Sequence, residues 1–165
     1  MDYLWSPWRY RYVTGERESE SGTPTCVFCA AAACPDDEKV LIVHRAKHNF
    51  IILNRFPYTS GHVMVVPYQH AATLEDLPDE TLTEMTLLSR DCEKHLRALY
   101  RPDGLNLGLN IGAAAGAGVA GHLHLHVLPR WTADANFMTT IAETRVLPED
   151  LSVTWQRLRA AFSAT

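Results

Sequence analysis

The stretch GHLHLHVLPRW, residues 121–131, constrains the fold of this 165-residue chain more than any other part of the sequence. It alternates three histidines with three apolar residues: His122, Leu123, His124, Leu125, His126 and Val127. Side chains of a β-strand alternate between its faces, so residues two apart share a face at a spacing of about 6.6–6.8 Å. The pattern predicts a strand with a histidine row on one face and apolar side chains against the core.

The histidine row is open to three interpretations. It can be a solvated face, a metal site, or a catalytic group in which one imidazole is the nucleophile and its neighbours handle protons. The preceding loop, GAAAGAGVAG at 112–121, offers backbone N–H groups at close approach, and these suit phosphate oxygens. Loop and row together favour a phosphate held against a nucleophilic imidazole.

The remaining patterns predict an α+β fold. Three apolar runs, 39–45, 49–54 and 62–67, are typical of strands, and the last two are joined by the hairpin loop RFPYTSG. The run LNLGLNIG at 105–112 alternates as a half-buried strand does, and VTWQRLRAAF at 153–162 predicts a short C-terminal helix. Consecutive strands with one long helix favour an antiparallel sheet of about five strands.

The long helix is predicted by apolar residues spaced three or four apart, which form one stripe: Leu82, Met85, Leu88, Cys92, Leu96 and Leu99. Acidic residues come early and basic residues late, as the helix dipole prefers. The sequence RPDG at 101–104 ends it.

Composition narrows the class of protein. The length suits one domain, and a net charge of −4 argues against binding a nucleic-acid polymer. No apolar run approaches the ~20 residues that span a bilayer, and the N-terminus does not match a signal peptide. We therefore expect a cytoplasmic protein with no membrane partner and with reduced cysteines, so Cys26-Val-Phe-Cys29 indicates metal or redox chemistry.

Residues 1–13 form an aromatic arm, and residues 14–24 are polar and turn-rich, as in a mobile surface loop. Aromatics interleaved with arginine can stack on bases, so a short RNA-binding arm is conceivable. The simpler interpretation is a segment that packs over the subunit or its partner.

Several motifs carry a family resemblance: HLHLHVL, NFIILNRFPYTSGHVMVVPYQH, LNIGAAAGAG, LWSPWRYRYV, CVFC and PRWTADANFMTTIAETRVLPEDL. Together they resemble the histidine triad (HIT) superfamily of nucleotidyl hydrolases and transferases, and within it a bacterial branch that includes diadenosine-polyphosphate hydrolases and phosphorylases. The resemblance covers nearly the whole chain. It implies a single HIT domain over 1–165 and a two-fold homodimer.

The resemblance also implies roles for three histidines. His124 would attack the α-phosphorus of a nucleotide and form a nucleotidyl-histidine intermediate. His126 would bind the phosphate and assist the leaving group, and His62 would help through a hydrogen bond near the same site. A role for Arg9 near the distal phosphates is a hypothesis.

By resemblance, Asn54 would bind the ribose, and the amides of Gly116 and Gly118 would bind phosphate. The base slot would be formed by four apolar residues, which could equally be core: Val27, Phe28, Leu53 and Met64. Many relatives carry Gln or Ser at position 118 and Glu or another side chain at 121, whereas this chain has Gly118 and Gly121. Side-chain contacts to phosphate are missing at those points.

Cys26 and Cys29 have the spacing of half a tetrahedral zinc site. In the zinc-bearing branches of the family, the other two ligands resemble His70 and His122. Such a zinc would be structural, since four protein ligands leave no open position. No organic cofactor is expected. The alternative is that the cysteines pack as small hydrophobic residues.

The sequence therefore predicts cleavage of a dinucleoside polyphosphate, the tri- or tetraphosphate, through a His124 intermediate that water or another acceptor opens. Phosphorolysis by inorganic phosphate and hydrolysis of a nucleoside phosphoramidate are the enzymatic alternatives. A non-catalytic nucleotide-binding sensor is a third alternative. A redox or catalytic-metal protein built on Cys26, Cys29 and the histidines is a fourth.

Overall fold

The structure is a computed structural model that describes residues 26–134 and 149–164. The predicted arm 1–13, with Arg9, and the loop 14–24 lie outside the described residues.

Five strands form one sheet: β1 (Ile42–Arg45), β2 (Asn49–Leu53), β3 (Val63–Pro67), β4 (Gly104–Leu109) and β5 (Leu125–Arg130). Their order across the sheet is β1-β2-β3-β5-β4, and each neighbouring pair is antiparallel. The predicted antiparallel five-stranded sheet is confirmed.

In the described part of the chain the α-helices are α1 (Val27–Ala33), α2 (Asp37–Val40), α3 (Asp79–Tyr100) and α4 (Leu151–Ser163), and Ala113–Ala115 form a short 3-10 helix. The long helix and the C-terminal helix predicted from the sequence correspond to α3 and α4. Arg101 and Pro102 follow α3, with Arg101 in the left-handed region, so the helix ends where RPDG predicts. Within the described residues, no helix is both long and apolar enough to cross a membrane.

Two predicted strands differ from the observed ones by three residues at one end. The first, expected over 39–45, begins at Ile42, because the Asp36 side chain caps α2 through the Lys39 amide and Leu41 adopts a φ of 66°. The fourth, expected over 105–112, ends at Leu109. It lies at an edge of the sheet, and its Leu107 is 48% exposed. The strand is therefore more exposed than the half-buried strand that its alternation predicts.

The two faces of the sheet carry different clusters. One face holds the larger core, where Ile51, Val63 and Val127 pack against α3 and α4. The stripe of α3 lies there, except that Leu99 is 36% exposed. The opposite face holds a smaller cluster, in which Met64 packs with Phe28 of α1. This second face carries the candidate site.

Two local contacts hold the sheet against its helices, one on each face. Arg45 donates to the carbonyls of Ala32 and Cys34, each at 2.7 Å, and so ties the end of α1 to β1. Gly61, before β3, has a φ of +80°, and a Cβ there would lie 3.0 Å from Leu96 Cδ2. Glycine is therefore required where the β2–β3 loop meets α3.

Candidate active site and metal-ligand cluster

Two histidines of the row are buried and the third, His126, is half-buried. His122 and His124 are 1% and 5% exposed, which rules out a solvated face. The three histidines do not all lie in a strand, because β5 begins at Leu125 and only His126 belongs to it. The rings still cluster: the His124 and His126 centroids are 4.9 Å apart, and Phe28 lies 5.4 Å from His122 and 5.0 Å from His124.

The main chain fixes the tautomer of His124. Its Nδ1 lies 2.8 Å from the carbonyl oxygen of His122. A carbonyl can only accept, so Nδ1 carries the proton and Nε2 keeps its lone pair. Burial lowers the pKa of His124, and the bond to His122 opposes this in part. The residue therefore presents a neutral imidazole with a free lone pair, which is the form that a nucleophile needs.

A chain of hydrogen bonds orients His126. The Tyr58 amide donates to His62 Nδ1 at 3.1 Å, so the proton of a neutral His62 is on Nε2. That nitrogen lies 2.9 Å from His126 Nδ1, which must then accept. His126 consequently carries its own proton on Nε2. Burial, together with the neighbouring His124, lowers the pKa of His126 to about 4, so its ring is neutral at physiological pH.

Asn54 supports the same chain. Its Oδ1 accepts from the Phe56 amide at 3.0 Å, and its Nδ2 lies 3.4 Å from His62 Nδ1. Asn54 therefore touches His62 directly, a contact that the sequence did not predict.

A cavity of about 780 Å³ opens in front of His124 and His126. All seven residues predicted to contact substrate line it: Val27, Phe28, Leu53, Asn54, Met64, Gly116 and Gly118. Leu53 also belongs to the core on the α3 side of the sheet, whereas the adjacent Ile52 belongs to the cluster on the cavity side. The volume of the cavity is typical of a binding site for a small ligand.

Among the cavity residues that the sequence reasoning missed, three have side chains suited to hydrogen bonding: Arg55, Tyr58 and Asn110. Asn110 follows β4 directly and precedes the glycine-rich loop, a position that could have drawn attention to it. The Tyr58 ring lies 4.7 Å from that of His62 and 6.1 Å from that of His126. Nothing in the sequence distinguishes Tyr58 from an ordinary loop residue.

The four predicted metal ligands also come together. One donor atom from each of Cys26, Cys29, His70 and His122 lies within 4.8 Å of the others. His122 Nε2 donates to the carbonyl of Pro67 at 2.9 Å, which leaves Nδ1 as a ligand atom. Nδ1 lies 3.2 Å from Cys26 Sγ and 3.2 Å from His70 Nδ1.

These distances are close to those between the ligand atoms of a tetrahedral ion. Zinc with bonds of about 2.3 Å to sulfur and 2.0–2.1 Å to nitrogen keeps its ligand atoms about 3.3–3.8 Å apart. Cys29 Sγ lies 3.4 Å from His70 Nδ1 and 3.6 Å from His122 Nδ1, within this range. The two 3.2 Å distances to His122 Nδ1 lie just below it. Burial and the neighbouring Cys26 raise the pKa of Cys29, whereas a bound cation would lower it and favour the thiolate. The cluster could therefore hold a metal ion.

The two glycines that depart from the family pattern lie in different places. Gly118 lines the cavity. Gly121 lies beside the metal-ligand cluster, where an added Cβ would be 3.8 Å from His70 Nε2.

Known proteins share this architecture. A family model described as HIT domain matches residues 37–133. An AP-4-A phosphorylase from Mycobacterium tuberculosis is 39% identical over 167 aligned positions, which span 99% of this chain and 85% of that protein. An asymmetrical bis(5'-nucleosyl)-tetraphosphatase from Schizosaccharomyces pombe is 30% identical over 93 positions, which span 56% of this chain and 50% of that protein.

A solved structure also resembles this chain. A Zn-bound histidine triad family protein from Mycobacterium smegmatis has a TM-score of 0.68 and 32% identity to this chain. The match covers 87% of this chain and 96% of that protein.

The partly buried His126 makes stability depend on pH. In the unfolded chain its imidazole binds a proton below about pH 6.5, whereas in the folded protein it stays neutral down to about pH 4. Protons therefore favour the unfolded state, and stability falls as the pH drops through this window. Urea unfolding at about pH 7 and about pH 5 should show a loss of about 2 kcal/mol from this group. His126→Gln should reduce the loss, and an unchanged pH dependence in that variant would show the assignment to be wrong.

Proposed function

The chain belongs to the HIT family, and from this premise we propose that it cleaves a dinucleoside polyphosphate, such as diadenosine tetraphosphate, with inorganic phosphate as the acceptor. The observation that carries the proposal is the free lone pair of His124 Nε2, assigned by the 2.8 Å contact between Nδ1 and the His122 carbonyl, at the wall of a nucleotide-sized cavity. Phosphate as acceptor is supported by the similarity to AP-4-A phosphorylase along 99% of this chain.

In the first step, His124 Nε2 attacks the α-phosphorus of one adenosine. A P–N bond forms, the P–O bond to the β-phosphate breaks, and ATP leaves with the bonding electrons. The nucleotide stays on His124 as an AMP group. The imidazole gains positive charge in this step, and the His122 carbonyl that accepts its Nδ1–H stabilises that charge.

In the second step, an oxygen of inorganic phosphate attacks the same phosphorus. The P–N bond breaks and its electrons return to His124 Nε2, so the ring is neutral again. ADP is the second product. Water in place of phosphate would release AMP instead, so only the acceptor distinguishes phosphorolysis from hydrolysis.

The other predicted site residues support these steps. His126 Nε2–H donates to an oxygen of the attacked phosphate, and His62 holds His126 in the tautomer that can donate. The amides of Gly116 and Gly118 bind further oxygens, while Asn54 binds the ribose and orients His62. Val27, Phe28, Leu53 and Met64, with Ile52, form the wall against the base.

Product analysis tests the proposal. Diadenosine tetraphosphate incubated with the purified protein should yield ADP and ATP only when inorganic phosphate is present. His124→Ala should lower the rate by more than about a thousandfold, since it removes the group that forms the intermediate. AMP and ATP formed regardless of phosphate would show a hydrolase instead. Binding without turnover would favour a sensor, and turnover of a nucleoside phosphoramidate alone would favour P–N cleavage.

We also propose that Cys26, Cys29, His70 and His122 bind a structural zinc ion. Zinc would cross-link α1 to the backbone that leads into β5, and four protein ligands would leave it no open position for substrate. The donor types and the 3.2–3.6 Å contacts support this. The zinc bound by the Mycobacterium smegmatis protein supports it too.

Metal analysis of variants tests the zinc proposal. Wild-type protein should carry one zinc per chain, and Cys29→Ser should lose it. Because a bound ion stabilises only the folded state, the variant should lose about 4 kcal/mol when free zinc exceeds its dissociation constant about a thousandfold. Cys34→Ser, a matched control outside the cluster, should keep its zinc. Metal-free wild-type protein of equal stability would contradict the proposal.

The homodimer implied by the family resemblance stays a prediction. β4 is an edge strand, and the apolar side chains of Leu107 and Ile111 are 48% and 42% exposed. These exposed positions are compatible with a partner subunit along this edge.

A further inference from the structure

We propose that Arg55 binds a phosphoryl group next to the one that His124 attacks. The inference deepens the proposed function and rests on it, because it names the part of the substrate that gives the cavity its preference for polyphosphates.

The charge of the cavity is the first observation. Among the described residues that line it, Arg55 is the one lysine or arginine, and none is Asp or Glu. The chain as a whole has a net charge of −4. The described lining is therefore positive within a negative protein, which favours an anionic ligand.

The second observation is the absence of a protein partner for the guanidinium of Arg55 among the described residues. In the described part of the chain, no carboxylate or carbonyl accepts a hydrogen bond from it. Arg45 and Arg130, by contrast, bind Asp37 at 2.8 Å and Asp134 at 2.6 Å. Arg55 is exposed at the cavity, so its five donors are available to a ligand.

Its position on the chain is the third observation. Arg55 follows Asn54, whose side chain lies 3.4 Å from His62 Nδ1, and His62 lies 2.9 Å from His126. The Phe56 amide donates to Asn54 Oδ1 and so holds the backbone on both sides of Arg55. The arginine is thus attached to the same hydrogen-bonded unit that orients the phosphate-binding histidine.

The chemistry selects phosphate. A guanidinium offers a planar pair of N–H donors that matches two phosphoryl oxygens, and it keeps its charge at any physiological pH. Such oxygens come from two sources in this reaction, the next phosphates of the bound nucleotide and the free phosphate acceptor. Both present the same group to Arg55, and binding measurements separate them.

Calorimetry without turnover provides the test. AMP fills the base, ribose and α-phosphate positions, while ATP adds two further phosphates. If Arg55 binds the polyphosphate chain of the nucleotide, Arg55→Gln should lower the affinity for ATP about 5- to 20-fold. The affinity for AMP should stay within about twofold of the wild-type value. If it binds the acceptor, the variant should instead weaken inorganic phosphate added to the AMP-saturated protein by a similar factor. Arg55→Lys, which keeps the charge without the fork, should recover part of the loss.

Arg90→Gln is the matched control. It removes the same charge from α3, on the opposite face of the sheet, where Arg90 is exposed and contacts Asp91. The ligand that Arg55→Gln binds less tightly, ATP or phosphate, should also show a salt effect. Added salt should lower its affinity more in the wild type and in Arg90→Gln than in Arg55→Gln.

Equal ATP, AMP and phosphate affinities in Arg55→Gln and Arg90→Gln would overturn the proposal, as would an equal loss for ATP and AMP. The test is independent of catalysis. A protein that binds ATP through Arg55 and turns over no dinucleotide would refute the proposed function and leave this inference standing.

Discussion

The hydrogen bond from His124 Nδ1 to the His122 carbonyl is the contact on which the site depends. It assigns the lone pair to Nε2, the nitrogen available for attack. The His122 ring is itself held, by the Pro67 carbonyl on one side and by the metal-ligand cluster on the other. One short segment therefore connects the candidate nucleophile to β3, to α1 and to the cysteines.

One face of the sheet carries most of the apolar core, and the other carries the candidate site. Its α3 face buries most of the apolar side chains, with Leu96 and Leu158 fully covered. Within residues 26–134 and 149–164, the other face is covered by a seven-residue helix and a smaller apolar cluster, and a cavity of about 780 Å³ opens there. Val127 and His126 are adjacent in β5 and serve opposite faces. Alternation along β5 thus places one side chain in the core and its neighbour in the candidate site.

The parts of the fold that short-range patterns determine could be predicted from the sequence. Alternation and three-to-four spacing predict the strands and α3, and the Cys-x-x-Cys spacing directs attention to the metal-ligand cluster. The contacts that complete the site are long-range. His62 meets His126 across 64 residues, and no local pattern records that contact or the packing of Tyr58 on both rings. The start of β1 was also misplaced, because the cap by Asp36 and the left-handed Leu41 outweigh the apolar run.

The central claim is that His124 becomes covalently nucleotidylated, and direct detection of the adduct tests it best. The protein would be mixed with diadenosine tetraphosphate in phosphate-free buffer, quenched in base because the P–N bond is acid-labile, digested, and measured by mass spectrometry. The account predicts one adenylyl group on His124, which disappears when phosphate is added before the quench. An adduct on another residue, or products formed in a single turnover with no adduct, would contradict it.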